Sequence, residues 1–199
     1  MTRRLIQLFV GLALYGLSIA LIVRADLGLD PWDVLNQGVF EHYQPAGISF
    51  GLVVNLIGMA VLLLWIPLRQ RPGVGTVANV LVIGTVANHG LAWIPSDLDL
   101  PLRIGLFGAG VVLNGVASGA YIGAGLGPGP RDGLMTGIVA RTGRSVKWVR
   151  TAIELAVVAV GGMLGGSIGV GTVIYAVTIG PLVHLFLPIF TIQADRAYR

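Results

Sequence analysis

The chain has no cysteine and little charge. None of its 199 residues is a cysteine, which excludes a disulfide framework, a thiolate nucleophile and a thiolate metal site. Only 11% of the residues are charged, whereas soluble domains carry about a quarter. The mean hydropathy is +0.84. This composition predicts a membrane protein.

Motifs for metals and nucleotides are also lacking. The histidine, aspartate and glutamate residues show no spacing typical of a metal site. The glycine-rich stretch 123–129 lacks the lysine and the preceding strand of a nucleotide-binding P-loop. We therefore expect no metal, no cofactor and no catalytic residues, and the sequence favours a protein that is not an enzyme.

What the sequence does contain is a series of long apolar runs. A membrane-spanning helix needs about 20 apolar residues. The first run follows Arg3 and Arg4 but is longer than the apolar region of a signal peptide, so we interpret it as a retained span. The fold class predicted is an all-α polytopic membrane protein, a single transmembrane domain over 1–199. Its six predicted transmembrane helices are 5–23, 50–68, 74–93, 102–124, 146–164 and 170–190.

The basic residues are distributed asymmetrically between the two sides of these spans. With the N-terminus inside, eleven of the thirteen fall on the inner side, as the positive-inside bias requires. Only Arg24 and Arg103 fall outside. The net charge of +4 is therefore a topology signal and not a nucleic-acid surface. We expect a multi-pass protein of the bacterial inner membrane with both termini cytoplasmic. The inner basic residues are Arg3, Arg4, Arg69, Arg71, Arg131, Arg141, Arg144, Lys147, Arg150, Arg196 and Arg199.

The chain also repeats itself. Residues 27–33 (LGLDPWD) resemble 126–132 (LGPGPRD), and 73–77 (GVGTV) return unchanged as 169–173. A three-residue difference in the loop 42–48 explains why the two offsets differ. We place the first repeat at 5–94 and the second at 103–190. Each repeat has three spans, an odd number, so the two are predicted to be inverted repeats, an arrangement typical of transporters.

Each repeat contains a segment broken by glycine and proline. Pro31 and Pro130 suit the first turn of a helix, and Asp30 is a good N-cap. The helix that follows would be about 10–12 residues, or about 15–18 Å. It either lies as an amphipathic helix at the membrane interface or re-enters the protein as a half-helix. Re-entry is the interpretation we favour.

Charged residues at these helix starts suggest a binding site. Helix N-termini suit anions, and Arg131 adds a fork-shaped donor for a carboxylate or phosphate. Asp33 and Asp132 lie in the first turn, where they either stabilise the helix start or meet a cation. The hypothesis is a substrate with both charges, or an anion moved with a proton.

One acidic residue, Glu154, falls well inside a predicted span. Such a residue is by default a functional candidate, here for proton coupling. Arg150 lies one turn earlier, so the two side chains can form an ion pair that instead fixes helix packing. Thr76 and Thr172 open the repeated Gly-Val-Gly-Thr segments, where helix packing is the alternative role. The other predicted substrate-binding residues are polar and uncharged: Asn55, Asn79, Asn114 and Tyr175.

Several segments together carry a family resemblance. They are 25–35 (ADLGLDPWDVL), 70–76 (QRPGVGT), 127–135 (GPGPRDGLM), 141–145 (RTGRS) and 150–154 (RTAIE). The chain resembles the YczE branch of the YczE/YitT integral membrane proteins over nearly its whole length. The resemblance implies a bacterial inner-membrane protein without an assigned substrate or known catalytic residues. Members often lie beside regulators of the MocR type that bind pyridoxal phosphate, which implies metabolite traffic by association.

The function that these features favour is a small secondary transporter for a small polar or charged metabolite. It would work by alternating access, and a proton is one candidate for the coupling ion. A channel, or a membrane accessory or sensor protein, is the alternative, and an intramembrane acyltransferase-like enzyme is less favoured. The expected partners are a small-molecule substrate and membrane lipid but no nucleic acid, and glycine-rich helix faces leave a homodimer open.

Overall fold

The computed structural model describes residues 1–192, and every regular element in that range is helical. Arg196 and Arg199, which the sequence assigns to the inner side, lie outside the described residues. A short 3-10 helix, Gln44–Ala46, separates the second and third helices. The α-helices are α1 (Thr2–Ala25), α2 (Pro31–Tyr43), α3 (Phe50–Leu63), α4 (Trp65–Leu68), α5 (Val74–Trp93), α6 (Leu100–Gly123), α7 (Pro130–Thr142), α8 (Val146–Met163) and α9 (Val170–Phe190).

Within the described residues, five helical segments are long and apolar enough to cross a membrane. The remaining predicted span, 146–164, forms helix α8 but is not among these five segments. Its 18 residues include Lys147, Arg150 and Glu154, which make it too polar for that class. The chain is thus an all-helical membrane protein, and the six-span arrangement stays a prediction. The five segments are Thr2–Ala25, Phe50–Leu68, Val74–Trp93, Leu100–Gly123 and Val170–Phe190.

The two short helices begin where their prolines predict. Pro31 opens α2 and Pro130 opens α7, and each helix has 13 residues. Asp30 caps α2, because its Oδ1 accepts hydrogen bonds from the backbone N–H of Trp32 at 2.8 Å and of Asp33 at 3.0 Å. The 3-10 helix that follows α2 accounts for the three extra residues of the first repeat, since α7 is followed directly by the turn at Gly143.

Helices α1 and α6 pack against each other along most of their length and run in opposite directions. Gly11, early in α1, lies against Tyr121, late in α6. At the other end, the Arg103 Nε near the start of α6 donates to the carbonyl of Ala25 at 2.8 Å. The loops that follow α1 and α6 therefore leave from opposite ends of the bundle.

Two matching backbone hydrogen bonds join the halves. The N–H of Gly75 at the start of α5 donates to the carbonyl of Leu126, after α6, at 2.8 Å. The N–H of Gly171 at the start of α9 donates to the carbonyl of Leu27, after α1, at 2.7 Å. Each half thus anchors its last helix on the broken segment of the other half.

One packing contact is present in the first half and missing in the second. We call the contact between α3 and α5 the α3–α5 seam: Gly51 lies against the backbone of Gly84, and the Asn55 Nδ2 donates to Thr85 Oγ1 at 3.3 Å. Among residues 1–192 the equivalent helices, α8 and α9, are not packed to a comparable extent. Gly180, the equivalent of Gly84, faces open space. The second half is therefore open where the first half is closed.

Candidate functional site

The first turns of α2 and α7 meet inside the protein. The guanidinium of Arg131 lies 3.7 Å from Asp30 Oδ1 and 3.6 Å from Asp33 Oδ1. Gly11 packs against Tyr121 near the end of α6, and Ala25 ends α1 14 residues further along. At 1.5 Å per helical residue, the two broken segments therefore begin about 21 Å apart along the bundle. Both segments must turn back toward the middle for this ion pair to form. The re-entrant interpretation of the short helices stays a prediction.

A cavity of about 260 Å³ lies where these first turns meet. Side chains from α1, α3, α5, α6, α8 and α9 complete its walls. Seven of the residues predicted from the sequence line it: Asn79, Asn114, Arg131, Asp132, Arg150, Glu154 and Tyr175.

The most buried charges belong to the first repeat. Asp30 is 2% exposed and Asp33 is 0% exposed, and Asp33 Oδ1 also accepts from the Asn36 Nδ2 at 2.7 Å. Arg131 lies over the ring of Trp32, 5.1 Å from its centroid, in a cation–π contact. Asp33 and Trp32 of the first repeat therefore hold Arg131 of the second repeat in place. Arg131 lies at the centre of the protein and not in a loop on the inner side, where the charge distribution of the sequence predicts it to lie.

The equivalent carboxylate of the second repeat has a different neighbour. Asp132 Oδ2 accepts from the Tyr121 hydroxyl at 2.8 Å. The ring of Tyr121 packs edge-on against Tyr15, with 6.0 Å between centroids. Asp33 and Asp132 thus occupy matching helix positions but face a guanidinium and a phenol, respectively.

A buried chain of neutral polar groups crosses the cavity wall. The Tyr175 hydroxyl donates to Asn114 Oδ1 at 2.9 Å, and the Asn114 Nδ2 donates to Ser18 Oγ at 2.8 Å. Ser18 in turn donates to the carbonyl of Tyr15 at 2.6 Å. This chain links α9, α6 and α1, and it satisfies Asn114, which is fully buried.

The pair predicted on α8 is present. Arg150 Nε donates to Glu154 Oε1 at 2.7 Å. The two side chains are 52% and 33% exposed, far more than Asp30 and Asp33, because α8 is not covered by α9. The pair is therefore a feature of the open wall of the cavity and not a buried salt bridge.

Four predicted residues do not line the cavity. Asp33 lies 3.6 Å from the guanidinium of Arg131 but is not part of the lining. Asn55 lies in the α3–α5 seam. Thr76 Oγ1 donates to the carbonyl of Pro128 at 2.7 Å and accepts from the N–H of Gly73 at 3.1 Å. Thr172 Oγ1 accepts from the N–H of Gly169 at 3.2 Å. The two threonines thus cap their helices.

Sequence reasoning missed several contributors to this site, among them Trp32, Asn36, Asp30 and Trp65. Asp30 is recognisable from the sequence as an N-cap, but its pairing with Arg131 is not. Trp65 is 2% exposed and its Nε1 donates to the carbonyl of Pro130 at 3.0 Å, which fixes the start of α7. No local pattern marks Trp65 for this role, because the two residues are 65 positions apart.

These features define a polytopic helical membrane protein with a buried, charged centre formed by two broken segments. The chain belongs to the DUF6198 family, described as a family of unknown function, which matches residues 2–188. It is 37% identical to an uncharacterized protein of Haemophilus influenzae, over 92% of this chain and 82% of that protein.

Two relatives come from Bacillus subtilis. The chain is 33% identical to the uncharacterized membrane protein YczE, over 90% of this chain and 83% of YczE. It is 25% identical to the uncharacterized protein YyaS, over 90% of each chain. No solved structure matches the chain. The YczE match confirms the family resemblance that the sequence motifs indicated.

Proposed function

We propose that this chain is a small secondary transporter of the bacterial inner membrane, which moves a small polar or charged metabolite by alternating access. The observation that carries the proposal is the central cavity, which combines buried charges with one closed and one open wall. The α3–α5 seam closes the first half, whereas α8 and α9 are not packed against each other in the second half.

An inverted repeat accounts for this arrangement. Helices α1 and α6 occupy equivalent positions in the two halves and run antiparallel. The two matching hydrogen bonds, from Gly75 to Leu126 and from Gly171 to Leu27, form at opposite ends of these helices. In the proposed topology α8 is the fifth of six spans, with Arg150 and Glu154 facing the cavity, and both termini are cytoplasmic.

Alternating access follows if the two halves exchange conformations. The α3–α5 seam would open while α8 and α9 close on each other, with Gly180 taking the position that Gly84 has now. The exposure of the side chains fits one stage of this cycle, since Arg150 is 52% exposed and Asp33 is 0% exposed. The open wall lies between the N-terminal half of α8 and the C-terminal half of α9, on the proposed cytoplasmic side.

The cavity limits the size and chemistry of the cargo. Its volume of about 260 Å³ lies just below the usual range of ligand pockets, which begins at about 300 Å³. Arg131 and Arg150 offer guanidinium groups, while Asp132 and Glu154 offer carboxylates. A small metabolite with at least one charged group fits this lining, and lipid would cover the outer helix faces.

A ligand screen followed by flux measurements tests the proposal. A compound that binds only the native protein raises its unfolding temperature. We expect a small charged metabolite to do so with the purified full chain, and its flux into liposomes to saturate. Arg131→Ala should abolish both effects, while Arg144→Ala, at an exposed position, should leave them unchanged.

Other outcomes would replace the proposal. Flux that rises linearly without saturation would indicate a channel. Binding without any flux would indicate an accessory or sensor protein. Turnover of acyl donors by the purified chain would indicate an enzyme.

A further inference from the structure

The charges around Arg131 do not balance if every group is ionised. One guanidinium faces two carboxylates, Asp30 at 3.7 Å and Asp33 at 3.6 Å. Both carboxylates are almost completely buried. A net negative charge in such a place is costly, because burial removes the water that would otherwise solvate it.

Unpartnered oxygen atoms mark the same place. Asp30 Oδ2 and Asp33 Oδ2 have no hydrogen-bond partner although both atoms are buried. The Oδ1 of Asn36, whose side chain is bonded to Asp33, is also buried without a partner. A proton on either carboxyl group would turn an unpartnered acceptor into a donor, which reduces the number of unsatisfied oxygens at this place.

No other group facing the pair supplies a second positive charge. Helix α3 carries no titratable residue, and the nearest charges on α8 are the already paired Arg150 and Glu154. The phenols on α1, α6 and α9 are neutral at ordinary pH. Asp132 on α7 is negative and bonded to a phenol. Besides Asp30 and Arg131, the titratable groups that line the cavity are Tyr15, Tyr121, Asp132, Arg150, Glu154 and Tyr175.

A proton fits the pair better than a metal cation. Arg131 already lies against the Oδ1 atoms of both carboxylates, and a second full charge such as Na⁺ would be repelled by it. Residues 1–192 also contain no cluster of three histidine or carboxylate side chains that could hold a metal. A proton instead forms a covalent O–H bond on one carboxylate and leaves one carboxylate to neutralise Arg131.

We infer that Asp30 and Asp33 share one exchangeable proton beside Arg131, and that this pair, not Glu154, couples proton movement to transport of an anion. The inference rests on the proposed function. An anionic group of the cargo that binds Arg131 would release the remaining carboxylate from its ion pair. That carboxylate would then bind a second proton, so one monoanion and one proton would enter the cavity together without net charge.

Infrared spectroscopy of the full chain in lipid nanodiscs tests the shared proton without any cargo. A protonated carboxyl group has its own C=O band. We expect the wild-type band at neutral pH, and its loss in Asp30→Asn and in Asp33→Asn. Either substitution leaves a single carboxylate, which Arg131 then holds in the ionised form. Asn remains a good N-cap at position 30, so the helix start should persist.

Matched variants show whether the band belongs to this pair. Asp132→Asn and Glu154→Gln should retain it. Absence of the band from the wild type, or its survival in both Asp30→Asn and Asp33→Asn, would overturn the inference. Loss of the band only in Glu154→Gln would show that the protonated carboxyl group is that of Glu154 on α8. Stabilisation of the wild type by NaCl but not by KCl, lost in Asp33→Asn, would show a sodium site instead.

Flux measurements separate this inference from the proposed function. We expect uptake of the anion identified by the ligand screen to be driven by an inward pH gradient. The gradient should have no effect in the double variant Asp30→Asn/Asp33→Asn, in which no carboxylate beside Arg131 is left to bind a proton. Saturable flux that ignores the gradient would overturn the coupling and leave the transporter intact. No flux, with the band behaving as expected, would overturn both transport and coupling and leave only the shared proton.

Discussion

Two glycines at equivalent positions of the repeats should respond oppositely to the same substitution. Gly84 lies in the closed α3–α5 seam, and Gly180 lies on the open face of α9. A Cβ added at Gly84 would come within 2.2 Å of the Gly51 carbonyl oxygen and of Asn55 Oδ1. A Cβ added at Gly180 would meet no atom within 4 Å. The pair therefore isolates packing from the intrinsic effect of the substitution.

The size of the effect follows from these distances. Non-bonded carbon contacts are optimal at about 3.5–4.0 Å, so α3 and α5 would have to separate by roughly 1 Å to admit the methyl group of Gly84→Ala. Overpacking of this kind costs about 1–3 kcal/mol. At Gly180 only the helix preference for alanine remains, which favours the variant by up to about 1 kcal/mol.

Thermal unfolding of the purified chain measures the difference. One kcal/mol corresponds to a shift of about 2–4 °C for a chain of this size. We expect Gly84→Ala to lower the unfolding temperature, and Gly180→Ala to leave it unchanged or raise it slightly. Equal destabilisation by both variants, or none by Gly84→Ala, would refute the asymmetry of the two halves. If α8 and α9 close during transport, Gly180→Ala should also slow flux despite its normal stability.

Three further substitutions test the centre of the protein by thermal unfolding. Gly133→Ala should be strongly destabilising, since its Cβ would lie 1.9 Å from the Trp65 ring. The same substitution should cost much less in a Trp65→Ala background. Additive effects of the two substitutions would show that the residues do not pack together. Asn114→Ala should cost about 1–3 kcal/mol by stranding the Tyr175 hydroxyl, more than Tyr175→Phe, and the reverse order would contradict the hydrogen-bond chain. Arg131→Ala should cost up to about 3–5 kcal/mol at neutral pH by leaving the buried Asp30–Asp33 pair without its positive partner. That cost should shrink at acidic pH, where the carboxylates bind protons, and in an Asp30→Asn/Asp33→Asn background, which has no carboxylate left to pair; an unchanged cost in both would argue against the ion pair.

Local signals in the sequence were sufficient for the helices. The span 74–93 and the span 170–190 match α5 and α9 at both ends. Proline at the first helical position placed the starts of α2 and α7, and the three-residue difference between the repeats corresponds to the 3-10 helix Gln44–Ala46. These features depend on residues within a turn or two of each other, which is why periodicity and capping rules capture them.

The site could be predicted only in part, because its decisive contacts join distant residues. Seven predicted side chains line the cavity, but the partner of Arg131 depends on how far two loops turn back into the bundle. Asn55 looks equally suited to a cavity or a seam, and only the approach of Gly51 to Gly84 decides between them. Helix α8 shows the same limit, since its hydropathy alone gives no sign that α9 leaves its charged face open.

The two halves share backbone features but differ in the side chains at the charged centre. The backbone keeps the repeat, with prolines at the same helix position and matching hydrogen bonds from Gly75 and Gly171. The side chains at the centre do not keep it. When the two repeats are aligned, Asp30 corresponds to Gly129, and Trp32 corresponds to Arg131. If the halves exchange conformations as proposed, the exchange takes place around one asymmetric charged centre. Such a centre would meet the cargo from either side of the membrane with the same residues, which is what alternating access requires of a single binding site.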